Sequence, residues 1–154
     1  MKPIAIFKLT PAQIALVDRL AESENGVVMD VLDYQEIVAY QEVAKLSLAD
    51  MQTARGRKVR IVLTAAGAQV RANGYISKKP ILRLTGPQIN VLRFLASGRR
   101  KLDQMPSTMI DVCRRMMLRG WAKWEGDDAG TFRASLTAEG RQILLLLDVG
   151  NDNV

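Results

Sequence analysis

The 154-residue chain has no histidine, one cysteine, few aromatic side chains (5%) and no apolar run near the length of a bilayer span. Each shortage closes a class of function. Without histidine there is no Ser-His-Asp triad, no Cys-His pair and no imidazole-ligated metal. Cys113 alone makes neither an internal disulfide nor a Cys-rich zinc site, and it is compatible with a reducing cytoplasm. The longest late apolar run, residues 143–147, falls far short of the ~20 residues a membrane helix needs. The apolar stretch between Lys2 and Lys8 is too short for the core of a signal peptide. No Gly-rich phosphate loop appears, and no conventional nucleophile with its base. The expectation is a cytoplasmic protein that is not an enzyme and uses no cofactor or metal.

The composition that is present, 48% hydrophobic and 25% charged, can bury a core in one ordinary domain or two small ones. Lys and Arg number 22 against 16 acids, a net charge of +6. That excess suits a polyanion, nucleic acid first, although it also serves plain solubility.

The chain contains an internal repeat. Leu9-Thr10-Pro11-Ala12-Gln13-Ile14 recurs as Leu84-Thr85-Gly86-Pro87-Gln88-Ile89, and Leu20-Ala21 as Leu95-Ala96, at an offset of 75. Leu63-Thr64-Ala65-Ala66-Gly67 recurs as Leu136-Thr137-Ala138-Glu139-Gly140 at an offset of 73. Thr10 and Thr85 are good helix N-caps, with Gln13 and Gln88 at the capping-box position and Pro11 at the first helical residue. Ile14, Val17, Leu20 and Ala21 then fall on one helical face, and Ile89, Leu92, Leu95 and Ala96 repeat it. Each copy closes with another helix, capped by Thr64 or Thr137. Strand-like runs precede those caps at 58–63 and 131–136, with partner strands at 48–51 and 121–124 and turns at 54–57 and 125–130. The middles, 34–46 and 107–119, read as helices. Gly74 and Pro80 mark a boundary, giving domains 1–79 and 80–154 of a mostly helical α+β protein.

A capped helix, a short segment, a second helix, a hairpin and a Leu-Thr-x-x-Gly helix resemble the winged helix-turn-helix layout. The order Leu84-Thr85…Gln88…Leu92…Leu95-Ala96, then Leu118-Arg119-Gly120-Trp121, then Leu136-Thr137-Ala138-Glu139-Gly140, is similar to the MarR-like transcription regulators. The resemblance covers most of the second half and both ends of the first, so it implies two tandem winged-helix domains. Only nine residues separate Ser97 from Ser107. The middle helix of the helix-turn-helix must therefore be a single turn or be fused to its neighbour. The family carries one winged helix per chain and dimerises. Two in one chain imply either a pseudo-twofold monomer or a homodimer.

The resemblance also implies where double-stranded DNA would be held. On the recognition helix 107–119, Ile110, Cys113, Met116 and Met117 group toward a core. Ser107 opens the helix, and Thr108, Asp111, Arg115 and Arg119 face away, with Arg114 at the margin. Arginine there suits guanine edges or phosphates, while the plain alternative is a solvated helix face. Arg99, Arg100 and Lys101 would grip phosphate or form a solvated turn. In the first copy, Gln35, Val38 and Glu42 stand where the second has Thr108, Asp111 and Arg115, and Glu36 adds another acid. That helix is a poor phosphate surface. Its wing, however, holds Arg55, Arg57, Lys58 and Arg60, whereas the second wing holds Glu125, Asp127 and Asp128. The second copy is thus expected to read bases and the first to grip backbone, with 34–46 available to a protein partner.

Cys113, on the core side, is expected to be a buried hydrophobe rather than a redox switch. Glu125, Asp127 and Asp128 lack the ligand spacing of a known cation loop. Residues 143–147 are apolar around nearly the whole helix, which points to burial between the halves or in a dimer interface as well as in a core. The function expected is sequence-specific DNA binding by a bacterial or phage transcription regulator, cytoplasmic and nucleoid-associated. The alternative is a tandem winged-helix adaptor between proteins, of the chromosome-partitioning or phage–host inhibitor type.

Overall fold

Residues 3–53, 55–98, 100–126 and 130–151 are described by a computed structural model, with residue 102 and residues 148–151 described by backbone alone. Thr10 lies in extended backbone, and its hydroxyl accepts the Gln13 N–H at 3.2 Å while the Gln13 side chain accepts the Thr10 N–H at 3.0 Å. Both residues are fully buried, so the reciprocal pair satisfies polar groups that water does not reach. In the second copy the Gln88 side chain accepts the Thr85 N–H at 2.9 Å. These caps open α1 (Pro11–Ala21) and α4 (Gly86–Ala96).

In chain order the first copy runs β1 (Ile4–Ile6), α1, β2 (Val27–Val28), a 3₁₀ turn (Met29–Val31), α2 (Tyr34–Lys45), β3 (Ala49–Gln52), β4 (Arg60–Leu63) and α3 (Ala65–Ala72). The second runs β5 (Leu82–Leu84), α4, β6 (Arg100–Lys101), a 3₁₀ turn (Leu102–Gln104), α5 (Ser107–Arg119), β7 (Ala122–Gly126), β8 (Phe132–Leu136) and α6 (Ala138–Asn151). The two three-stranded sheets are ordered β2-β4-β3 and β6-β8-β7, each antiparallel throughout. Two similar lobes, each a helix pair with a small sheet, therefore follow one another, as a tandem helix-turn-helix-like fold requires. The change of offset from 75 to 73 falls in one loop, residues 22–26 in the first copy and 97–99 in the second.

Several boundaries differ from those the sequence predicts. Glu125 and Gly126 belong to strand rather than turn, because they pair with Arg133 and Phe132. The first hairpin's strands begin one and two residues later than expected. The segment before α2, and likewise before α5, is a single 3₁₀ turn preceded by a two-residue strand. Residue contacts divide the chain between Leu82 and Arg83, one unit being Ala5–Leu82 and the other containing the residues from Arg83 onward together with Ile4.

Each unit is packed on equivalent positions. Val17 and Leu20 of α1, Val43 of α2, Leu48 and Ile61 are buried in the first, and Leu92, Leu95, Met116, Trp121 and Ala134 in the second. In α6, Ile143, Leu144 and Leu147 are buried, whereas Leu145 and Leu146 are exposed. The apolar run thus supplies the core from one side only.

The Leu-Thr-x-x-Gly motif ties three elements together in both copies. The Thr64 hydroxyl accepts the Gly67 N–H at 3.1 Å and donates to the Ser47 carbonyl at 2.7 Å. The Thr137 hydroxyl accepts the Gly140 N–H at 3.1 Å and donates to the Gly120 carbonyl at 2.8 Å. A Cβ on Gly67 would lie 2.1 Å from the Leu48 carbonyl oxygen, and one on Gly140 2.1 Å from that of Trp121. Glycine is therefore what lets the last helix of each copy rest on the backbone.

The exits of α2 and α5 use the same backbone with different residues. Gly120 has φ 90°, a left-handed conformation that costs glycine little, while its counterpart Ser47 holds φ 61°. Replacing Ser47 by glycine should raise stability by ~1 kcal/mol in urea unfolding followed by circular dichroism, since the bond to Thr64 uses only the Ser47 carbonyl. An unchanged or lower midpoint would contradict this account.

A polar clamp joins α1 to the end of α3. Asp18 accepts from Arg71 Nε at 2.8 Å and from the Tyr75 hydroxyl at 2.7 Å. Burial works to raise the Asp18 pKa, but these two bonds and the Arg71 charge outweigh it and hold the carboxyl below its ordinary value. A folded pKa below the unfolded one means that the stabilisation is complete above about pH 4 and is lost as pH falls below it. The Asp18→Asn variant should therefore show a shallower fall of stability between about pH 4 and pH 2 than the wild type, measured by urea midpoints.

Candidate nucleic-acid interface

Helix α5 has the two faces its sequence predicts. Cys113 and Met116 are fully buried and Ile110 and Met117 half-buried. Ser107, Thr108, Asp111, Arg114 and Arg115 are exposed, and Arg119, in the last turn before Gly120, is half-buried. Arg114 is held locally. Its Nη1 lies 3.8 Å from Asp111 Oδ1, and its guanidinium stands 5.6 Å from the centre of the Trp124 ring. Arg115 is exposed beside it on the outward face.

Trp124 donates its indole N–H to Cys113 Sγ at 3.3 Å. Burial pushes the Cys113 thiol up, and the indole bond offsets only part of that, so the sulfur stays a protonated core group. This agrees with the core reading of Cys113.

Arg100 and Lys101 are half-buried in β6, where they pair through backbone with Ala134 and Arg133. The Arg100 guanidinium lies 5.1 Å from the Phe94 ring centre and bonds to the Ser97 hydroxyl, which folds it onto the end of α4. Arg99, like Asp127 and Asp128, lies outside the described residues.

In the first unit, Arg55, Arg57, Lys58 and Arg60 are all exposed along the β3–β4 connection and its exit into β4. Gly56, at φ 74°, turns the chain between the first two. Lys58 Nζ lies 3.6 Å from Asp30 Oδ2, a solvated pair with little hold on the side chain. In the other hairpin, Lys123 Nζ lies 3.0 Å from Glu125 Oε1.

Helix α2 is occupied differently from α5. Glu36 accepts the Asp33 N–H at 3.2 Å, Asp33 accepts the Glu36 N–H at 2.8 Å, and Glu36 also pairs with Arg19 of α1. The acid that makes this helix unsuited to phosphate is thus used to cap it and to fasten it. Gln35 is exposed, and Val38 and Glu42 are half-buried. Tyr34, within the 34–46 stretch expected to be available to a protein partner, is 69% exposed, and beside it Val31, which the sequence did not single out, is 61% exposed in the 3₁₀ turn before α2. Aligning the copies would have found Val31 too, because Gln104 and Ser107 stand at the positions of Val31 and Tyr34 in the second.

Among the described residues there is no cluster of three or more Cys, Asp or Glu side chains placed to hold a metal ion, and no helix is long and apolar enough to cross a membrane. No protein-family model matches the chain, and neither a curated protein nor a solved structure is significantly similar to it.

Proposed function

We propose that the chain is a pair of winged-helix domains that binds double-stranded DNA sequence-specifically, and that it serves as a transcriptional regulator in a bacterium or phage, in the cytoplasm at the nucleoid. The observation that carries this reading is the basic outward face of α5, with exposed Arg114 and Arg115 backed by buried Cys113 and Met116, on the second helix of a helix pair that is followed by a hairpin. Such a helix fits the major groove, and arginine bonds guanine edges bidentately. The exposed cations of residues 55–60 support backbone contact by the first copy's wing. On this reading the protein binds and does not catalyse.

Fluorescence anisotropy with random duplex DNA across a salt series tests it. Binding in the micromolar range or better, weakening steeply as salt rises, is the expected result. No binding at low salt would overturn it.

One observation favours a second reading, a protein–protein adaptor. Val31 and Tyr34 place an apolar and aromatic pair at the start of α2, where the other copy is polar. Tyrosine is common at the centres of protein interfaces. If DNA binding fails while Tyr34→Ala abolishes capture of a specific protein, the adaptor reading replaces the first.

A further inference from the structure

A cavity of about 200 Å³ opens in the first unit where the exit of α2, helix α3 and the segment after it meet. Leu46, Leu48, Val70 and Ile76 give it an aliphatic wall, and no aromatic ring lines it. An apolar cavity of about 150 Å³ accepts a benzene-sized group, so this one has room for an alkyl body of about six carbons. The second copy is built otherwise at two of these places. Arg119 stands at the repeat position of Leu46, and Glu139 at that of Ala66, which also lines the cavity. The open wall at Leu46 and Ala66 is therefore particular to the first copy.

The rest of the lining is polar and, where charged, cationic. Lys78 and Lys79 are exposed and form no ion pair among the described residues, and no acidic residue lines the cavity. Ser77, which also lines it, is only 7% exposed. Its Oγ accepts the Lys79 N–H at 3.2 Å, and its hydroxyl proton meets no acceptor among the described residues. A buried donor left without an acceptor costs free energy that an oxygen brought into the cavity would recover. Two ammonium groups and one buried hydroxyl together complement a carboxylate.

We propose that this cavity binds a short aliphatic carboxylate, its alkyl tail against Leu46, Leu48, Val70 and Ile76 and its head at Ser77, Lys78 and Lys79. The Ser77 hydroxyl donates to one carboxylate oxygen, and the two lysines supply the charge. Every lining residue lies within 5–82, so the site is complete in the first unit. Binding requires no DNA, and the test uses none.

Amide-correlation NMR of the full chain, titrated with hexanoate and separately with hexanol, is the test. Hexanoate should bind with a dissociation constant of about 1 mM or tighter, with shifts centred on residues 46–48, 66–73 and 76–79. Hexanol has the same tail without the charge and should bind about fivefold more weakly. Lys78→Gln with Lys79→Gln, both exposed, should weaken hexanoate about fivefold and leave hexanol unchanged. Ala66→Leu, at an exposed helical position, fills the alkyl space and should weaken both ligands. The amide spectrum of each variant reports directly that it is folded. No shifts at about 20 mM hexanoate would overturn the proposal. So would shifts centred elsewhere, equal affinity for hexanol, a double-lysine variant that binds hexanoate as the wild type does, or an Ala66→Leu chain that binds both ligands undiminished.

Discussion

Replacing Gly140 by alanine should destabilise the protein by ~3 kcal/mol or more, among the largest effects of any single added methyl group in the chain. The new Cβ would meet the Trp121 carbonyl oxygen at 2.1 Å, and that carbonyl also accepts the Thr137 N–H at 3.0 Å. Neither the strand start nor the helix can move away without losing this bond or the Thr137 cap. Gly67→Ala should act equally, against the Leu48 carbonyl, which accepts the Thr64 N–H at 3.1 Å. Gly86→Ala is the control. It lies at the start of α4, where a Cβ meets nothing within 4 Å, and should gain ~0.5 kcal/mol through the unfolded chain. Urea unfolding of the three variants decides it, and equal midpoints for Gly140→Ala and Gly86→Ala would refute the close-packing account.

The second large effect concerns DNA. Once a specific site has been selected, Arg115→Ala should cost ~1–3 kcal/mol on that site, roughly 10- to 100-fold, and much less on random duplex. Arg55→Ala with Arg57→Ala should weaken both, and should reduce the slope of log affinity against log salt by ~1 for each phosphate contact removed. The difference follows from the proposed roles, a helix at base edges and a wing on backbone. Equal losses on both DNAs in both variants would contradict that division of labour.

The features legible in the sequence are those whose partners lie a few residues apart. Thr10 with Gln13, and Thr64 with Gly67, announce themselves at i and i+3, and the faces of α5 follow from helical spacing alone. The Asp33–Glu36 cap has the same signature, so Glu36 as a capping group was readable, although its pairing with Arg19 was not. What escaped is non-local. Asp18 meets Arg71 and Tyr75 across 53 and 57 residues. The strands β2 and β6 are two residues each, too short for alternation to register, and are fixed only by pairing with β4 and β8. The repeated glycine of the last helix was visible as a match, but its purpose lies in a carbonyl of the preceding strand entry. At the candidate interface, residue types and the outward face were legible. The folding of Arg100 onto Phe94 and of Arg114 toward Trp124 was not, because each depends on a neighbouring element.

The placement of the aromatic residues makes the two copies optically distinct. Both tryptophans, Trp121 and Trp124, lie in the second unit, and all three tyrosines, Tyr34, Tyr40 and Tyr75, lie in the first. Emission excited at the red edge of the absorption band, where tyrosine is silent, therefore follows the unfolding of the second unit alone. Trp121 is 2% exposed and Trp124 rests against a sulfur, so its spectrum should shift to the red as that core opens. Far-ultraviolet circular dichroism sums the helices of both units. Coincident transitions by the two probes would mean that the copies unfold as one cooperative body, and separate transitions would give each copy its own stability within a single unmodified chain.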